Sequence, residues 1–290
     1  FLVSNIGGTL LPIGDPPLFL GYLRGVPFLW TMNLWPMWAT ACGILLVVYF
    51  IWDNILWRKE TYTSHLREEL RQDPLRLRGK INFLFIGGIV LAAALIDSNK
   101  PLIGTDWHPF LYMREAVMLA FVALSLACTN DRIRKANNFT YAAIIEVAAL
   151  FSGIFIAMQV PLMILNASGE AITNAMNKPW QFFWATGGLS SFLDNAPTYV
   201  VFFELSKSLP EGEMMEVNSG SVPISLLVAI SLGAVFLGAM TYIGNGPNFM
   251  VKAIAEQEGV EMPSFFGYMF KYSIPVLIPI FILITFIFLS

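Results

Sequence analysis

The chain has 290 residues, of which 56% are hydrophobic and 13% charged, with a formal net charge of −3 and a mean hydropathy of +0.65. This is more apolar side chain than one water-soluble core of that length requires, so the composition points to a polytopic membrane protein and gives no support to nucleic-acid binding. Cys42 and Cys128 lie in separate apolar runs without CxxC spacing, and His65 and His108 stand alone in polar loops, so neither a disulfide nor a metal cluster is indicated.

A membrane-spanning helix needs about 20 mostly apolar residues. The first segment, Phe1 to Trp30, is apolar but interrupted at Ile13-Gly-Asp-Pro-Pro-Leu-Phe19. The chain starts without Met and meets this break almost at once, and we expect an N-terminal part of the parent protein to lie outside it. Spans are predicted at Trp35–Trp52, Ile81–Ile96, Glu115–Cys128 and Phe139–Leu165. The loops 53–80 and 131–135 are both basic and are separated by two spans, so they share a side, which the positive-inside rule makes cytoplasmic. Segments 97–113 and 166–179 then fall outside.

The stretch Trp180 to Leu209 is apolar at both ends and polar in its middle, at Gly187–Ser191 and Asp194–Thr198. Each half is too short to span, which predicts a re-entrant hairpin followed by an acidic outside loop with Glu211, Glu213 and Glu216. Ser221 to Thr241 re-enters, breaks at Gly244–Asn248 and resumes from Phe249. The last span, Phe265 to Leu289, has Pro263 just before it and Pro275 and Pro279 within it, which predict kinks.

The second break, Ile243-Gly-Asn-Gly-Pro-Asn-Phe249, matches the first in position and composition. Backbone can break at membrane depth only where its freed N–H and C=O groups are buried in protein or face a watery cavity, and paired broken helices mark the substrate and ion site of secondary transporters. Each break is followed by a full span, and on the topology above the two copies run in opposite directions. The expected architecture is therefore an all-α polytopic membrane protein with inverted repeats: 1–52 ends the first repeat, 53–138 is the cytoplasmic loop with connecting spans, and 139–290 is the second repeat.

The polar side chains at the breaks are Ser4, Asn5, Thr9 and Asp15 in the first, and Asp194, Asn195, Thr198, Asn245 and Asn248 in the second half. Half-helix ends with Asn and Thr can complete an ion's coordination shell. An ionisable group at membrane depth is costly, so Asp194 reads as functional, with proton exchange open to it. Asp15 precedes Pro-Pro, and it fits an N-cap as well as a site. Glu146, in an otherwise apolar run, is a candidate proton relay or a structural partner.

Ser4-Asn-Ile-Gly-Gly-Thr with Pro12-Ile-Gly-Asp-Pro-Pro, the segment Ser191-Phe-Leu-Asp-Asn-Ala-Pro-Thr198 and Ile243-Gly-Asn-Gly-Pro-Asn248 resemble the ion transporter superfamily. Within it, the chain is similar to NhaD-type sodium/proton antiporters and CitMHS-type citrate transporters. The resemblance implies two inverted repeats, each with a hairpin and a broken helix, frequent homodimers, and a central site at Asn5, Asp194, Asn195, Thr198 and Asn245. The first repeat's hairpin is absent from this sequence.

A free di- or tricarboxylate would need positive charge or many N–H donors, yet only Arg24 lies near a motif, about two turns beyond the first break. Two carboxylates with Asn and carbonyl oxygens suit Na⁺ or H⁺ instead. The sequence thus favours a sodium/proton antiporter with Na⁺ candidates Asn5, Asp194, Asn195 and Asn245, in a bacterial inner membrane and without a resident cofactor. Cation-coupled citrate or other carboxylate transport is the alternative. An intramembrane hydrolase lacks a membrane histidine to serve Ser190 or Ser191.

Overall fold

The computed structural model describes residues 1–59, 77–96, 101, 106–137, 139–157, 159–160, 163, 176–209, 212–257 and 259–290. Its helices are α1 (Pro16–Leu23), α2 (Trp35–Trp57), α3 (Ile81–Leu95), α4 (Met113–Cys128), α5 (Asp131–Ala136), α6 (Ala142–Ala157), α7 (Pro179–Ser190), α8 (Asn195–Ser206), α9 (Ile224–Gly238), α10 (Gly246–Gln257) and α11 (Phe265–Phe288). A 3₁₀ segment, Phe28–Leu34, runs directly into α2, and together with α11 it is long and apolar enough to cross a membrane. The chain forms two compact units, one of Phe1–Asn54 with Phe151–Ser290 and one of Ile55–Leu150.

The larger unit is built around α9. Its sequence is apolar on every side, and residues 229–240 are all buried, as expected of a helix enclosed by others rather than lying on a surface. It packs most closely on α7, where small residues let the backbones approach. A Cβ at Gly233 would lie 2.6 Å from the Phe183 carbonyl oxygen, and one at Gly187 would lie 2.5 Å from the Leu237 side chain. Hydroxyls fasten the same seam: Ser190 Oγ donates to the Ala234 carbonyl (2.7 Å), and Ser191 Oγ lies within reach of the carbonyls of Gly187 (2.9 Å) and Leu237 (3.0 Å). Phe183, Phe236 and Phe281 fill the space between α7, α9 and α11, while Phe182 packs edge-on against Phe202 of α8.

Helices α7 and α8 form the expected pair of short helices with a polar tip at residues 191–194. The second break lies somewhat earlier than Gly244–Asn248, at residues 239–245 between the end of α9 at Gly238 and the start of α10 at Gly246, because Gly246, Pro247 and Asn248 already form the first turn of α10. In α11 the turn Met269–Ser273 is π-helical, immediately before Pro275. Proline has no N–H to return to the carbonyl four residues earlier, and the widened turn absorbs that defect.

Two further expectations need correction. The segment after α8 is not wholly a polar loop: Met214–Val217 and Gly220–Pro223 pair as a short two-stranded antiparallel hairpin within the otherwise helical chain. The hairpin serves a helix end. Asn218 donates its backbone N–H to the Arg24 carbonyl (2.9 Å) and its side-chain amide to that of Leu23 (3.1 Å), satisfying carbonyls left open where α1 stops. Gly25, at φ +103°, makes the turn that brings Asn218 this close. The span predicted to stop at Trp52 also continues to Trp57, because Asp53 and Asn54 are accommodated on an exposed helical face, Asn54 donating to the Phe50 carbonyl.

The smaller unit contains α3, α4, α5 and the first part of α6. Gly88 of α3 lies against the Phe121 ring of α4. Asn82 Oδ1 accepts from Ser125 Oγ (2.7 Å) and Thr129 Oγ1 (2.9 Å), joining the two helices through side chains.

The α7–α9 seam gives a direct test. Gly233→Ala must push two backbones apart and should destabilise the protein by about 1–3 kcal/mol. Gly188→Ala, where a Cβ meets nothing within 4 Å, should leave the midpoint unchanged or slightly raised. Thermal unfolding of the two purified variants in one detergent compares them.

Candidate functional site

The two breaks are constructed alike. In the first, 3₁₀ turns at Ile6–Gly8 and Pro12–Gly14 bring Gly8 against Gly14, so that a Cβ on either would lie within 2.4 Å of the other's carbonyl oxygen. In the second, a Cβ on Gly244 would lie 2.5 Å from the Gly238 carbonyl oxygen. Gly8 and Gly238, Gly14 and Gly244, and Asp15 and Asn245 are each separated by 230 residues. Each break thus folds back through a glycine contact that no larger residue permits, and then presents one polar side chain just before a helix: Asp15 before α1 and Asn245 before α10.

These side chains meet. Asn195, the first residue of α8, donates its amide to Asp15 Oδ1 at 2.9 Å, and Asn245 donates to the same oxygen at 3.2 Å. Asp15, Asn195 and Asn245 are 2%, 0% and 1% exposed. Asp15 makes no side-chain cap bond to α1, so its carboxylate is committed to distant partners rather than to its own helix. Three buried oxygens of this cluster, Asp15 Oδ2, Asn195 Oδ1 and Asn245 Oδ1, have no hydrogen-bond partner among the described residues. A buried oxygen without a donor costs about 1–3 kcal/mol, and three in one bonded cluster form a set that a hard cation or a proton can satisfy.

The surrounding polar groups hold the cluster in place. Asn245 also donates to the Ser4 carbonyl (3.2 Å), and Ser4 Oγ donates to Asn248 Oδ1 (2.7 Å). Asn248 in turn donates to the carbonyls of Gly238 and Thr241, both at 2.8 Å, closing the carbonyls freed at the end of α9. Thr241 Oγ1 donates to the Ser191 carbonyl and accepts from the Gly244 N–H (3.2 Å), linking the α7–α8 tip to the second break. Asn5 is 1% exposed, with its amide nitrogen unpartnered and about 3.1 Å from where a Gly238 Cβ would stand.

Other candidates occupy different positions. Asp194 is half-buried and is the N-cap of α8, its Oδ1 accepting from the Ala196 N–H at 3.2 Å. Thr198 Oγ1 donates to the Asp194 carbonyl (2.9 Å) and Thr9 Oγ1 to that of Ile6 (2.6 Å), so both hydroxyls are used locally. The Glu146 side chain lies outside the described residues, as does all of His65. Thr241 and Gly238 were not singled out from sequence, and Gly8, Gly14 and Gly244 were read only as parts of the break motifs, although the shared spacing of the glycines was there to be read.

Helices α1, α8 and α10 all point their N-termini at the cluster, an arrangement that ordinarily attracts anions. Here Pro16 and Pro17 open α1, while Pro197 and Pro247 lie in the first turns of α8 and α10, and none of them has an N–H to offer. The Asn195 N–H is taken by the Gly244 carbonyl (3.2 Å). Arg24 is engaged by Glu204 (3.3 Å), which also binds Lys207 (2.9 Å). The cluster is therefore richer in open oxygens than in free donors, the Asn5 amide nitrogen being an unpartnered donor beside it among the described residues.

The bonds between Asp15 and the two amides should be measurable as a coupling. Asn195→Ala and Asp15→Ala, singly and together, should give strongly non-additive losses of stability, with a coupling of about 1–2 kcal/mol. A cycle of thermal or denaturant unfolding measurements reads it directly, and additive losses would mean that the hydrogen bond contributes nothing.

Comparison with curated proteins gives no match, and comparison with solved structures gives none. Comparison with protein families does, and it covers residues 1–289. On that match the chain belongs to the family described as "Putative citrate transport".

Proposed function

We propose that the protein is a secondary active transporter in which the Asp15–Asn195–Asn245 cluster binds a coupling cation, Na⁺ or H⁺, and that its cargo is citrate or another di- or tricarboxylate. The observation carrying the cation assignment is the trio of unpartnered buried oxygens on three side chains joined by hydrogen bonds. The family description supports a carboxylate cargo. A cation at Asp15 would neutralise the buried charge and supply the missing partners of Asn195 and Asn245, so occupancy would draw α1, α8 and α10 together. Because these helices follow the two breaks and the hairpin tip, ion binding would act on the segments most able to move.

Sodium/proton antiport is a second reading. It is favoured by the donor-poor cluster, with Arg24 tied to Glu204. In either reading Na⁺ and H⁺ are transported or coupling ions, not resident cofactors. The breaks, separated by the same 230 residues at three matched positions, support inverted repeats around this site. We place the protein in a bacterial inner membrane, with the basic segments 53–80 and 131–135 cytoplasmic, and as a homodimer.

Proteoliposomes with a trapped pH dye separate the readings. Lumenal alkalinisation on adding Na⁺ or Li⁺ alone signals antiport, because inward Na⁺ then exchanges for lumenal H⁺. Cation-dependent uptake of labelled citrate, without a pH response to Na⁺ alone, signals carboxylate symport. In both cases Asp15→Asn should lower the rate roughly tenfold or more, the loss expected from removing an interaction of about 1.4 kcal/mol or greater. Asp194→Asn keeps a good N-cap and should retain most of the rate. Equal loss in both variants would bring Asp194 into the site, and full activity of Asp15→Asn would remove Asp15 from it.

A further inference from the structure

The smaller unit contains a second candidate site, unrelated to the ion cluster. Near one end of the α3–α4 pair there is a cleft of about 400 Å³, with Phe85, Ile89, Val122, Leu126, Ile133 and Tyr141 in its wall. Several of its polar groups are already engaged. Asn82 Oδ1 accepts from Ser125 and Thr129. Arg134 Nη2 donates to the carbonyls of Ser125 (3.1 Å), Leu126 (2.7 Å) and Thr129 (3.1 Å), and its Nη1 reaches Asp131 (3.1 Å). Arg134 is thus spent on closing the C-terminal end of α4, which leaves the cleft apolar.

The segments that flank the lining residues Asn82, Ile133 and Arg134 are basic. Arg78 and Lys80 precede α3, while Arg132 and Lys135 lie on α5, and all four are exposed. Among the described residues none of the four is in an ion pair, and the one acid of α5, Asp131, is taken by Arg134. Gly79, at φ +75°, brings the two basic segments together, since a Cβ there would lie 3.5 Å from Ile133 Cδ1 and 3.2 Å from the Asn82 amide. A mainly apolar cleft between two helices, with four exposed cations on the segments that flank it and no ion pair to any of them among the described residues, matches one amphiphile. Its chain must be hydrocarbon and its head a phosphate, because a free anion gains nothing from the cleft and a zwitterionic lipid gains little from the charges.

We propose that this cleft binds an anionic phospholipid, with one acyl chain between α3 and α4 and its phosphate at Arg78, Lys80, Arg132 and Lys135. The site is independent of the transport reaction, and binding would tie the segment before α3 to α5 through a shared headgroup.

The test uses the whole purified protein in detergent, titrated with phosphatidylglycerol, phosphatidylcholine or glycerol phosphate and read by native mass spectrometry and thermal unfolding. Phosphatidylglycerol should be retained and should raise the unfolding midpoint. Phosphatidylcholine should bind roughly tenfold more weakly or worse, from the loss of about 1 kcal/mol for each headgroup cation. The quadruple variant R78Q/K80Q/R132Q/K135Q should lose that preference. I89W, which fills the cleft but keeps every charge, should lose retention of the lipid. Equal binding of the two lipids by the wild type overturns the proposal, as does an unchanged preference in the quadruple variant. Competition by glycerol phosphate as effective as that by the lipid would assign a plain phosphate site and also overturns it. The wild-type titrations decide the matter even if a variant fails to fold.

Discussion

A carboxylate held out of water at Asp15 is the constraint around which the larger unit is arranged. Moving such a group from water into protein costs several kcal/mol even after relaxation, and among the described residues its side-chain donors are the amides of Asn195 and Asn245. Those two bonds join three places where the chain departs from regular helix: the first break, the tip between α7 and α8, and the second break. Glycine contacts at Gly8–Gly14 and Gly238–Gly244 make the breaks tight enough for the three side chains to meet. The bonds through Ser4, Asn248 and Thr241 then satisfy the carbonyls that the breaks release. The three oxygens left open among the described residues lie on the side chains that join the breaks, Asp15, Asn195 and Asn245.

This arrangement resolves an electrostatic conflict. Three helix N-termini facing one point would favour an anion, and the protein supplies one of its own in Asp15. Prolines in the first turns of α1, α8 and α10 remove N–H donors that a second anion would need. What remains around Asp15 is a set of oxygens, which suits a small cation better than a second anion. In the proposed reading a cation at Asp15 would act on the same atoms that hold together the helices following the breaks.

Much of the architecture was legible from periodicity and interruption. Long apolar runs place α2, α3, α4 and α11, and the Gly-Pro-Asn interruptions place both breaks and the α7–α8 tip, because hydropathy and helix breaking are local properties. The β-hairpin was not legible: Met214–Val217 and Gly220–Pro223 are short and carry no alternating pattern, and their role depends on Asn218 reaching the end of α1 about 195 residues away. The relative standing of Asp15 and Asp194 was hidden for a similar reason. Asp before Pro-Pro reads as a cap and Asp-Asn-Ala-Pro as a site, yet Asp194 caps its own helix while Asp15 bonds across 180 and 230 residues. Local sequence specifies what a side chain can do nearby, and it is silent on which distant partner outcompetes that.

The central claim is that the Asp15 carboxylate itself takes the cation. Infrared difference spectroscopy of the purified protein, on exchanging K⁺ for Na⁺ and on stepping the pH, observes carboxyl groups directly and responds to Na⁺ or H⁺ alike. The account predicts a carboxyl band in at least one of the two difference spectra that disappears in Asp15→Asn. Difference spectra that are the same in wild type and variant would show that Asp15 is a bystander and contradict it.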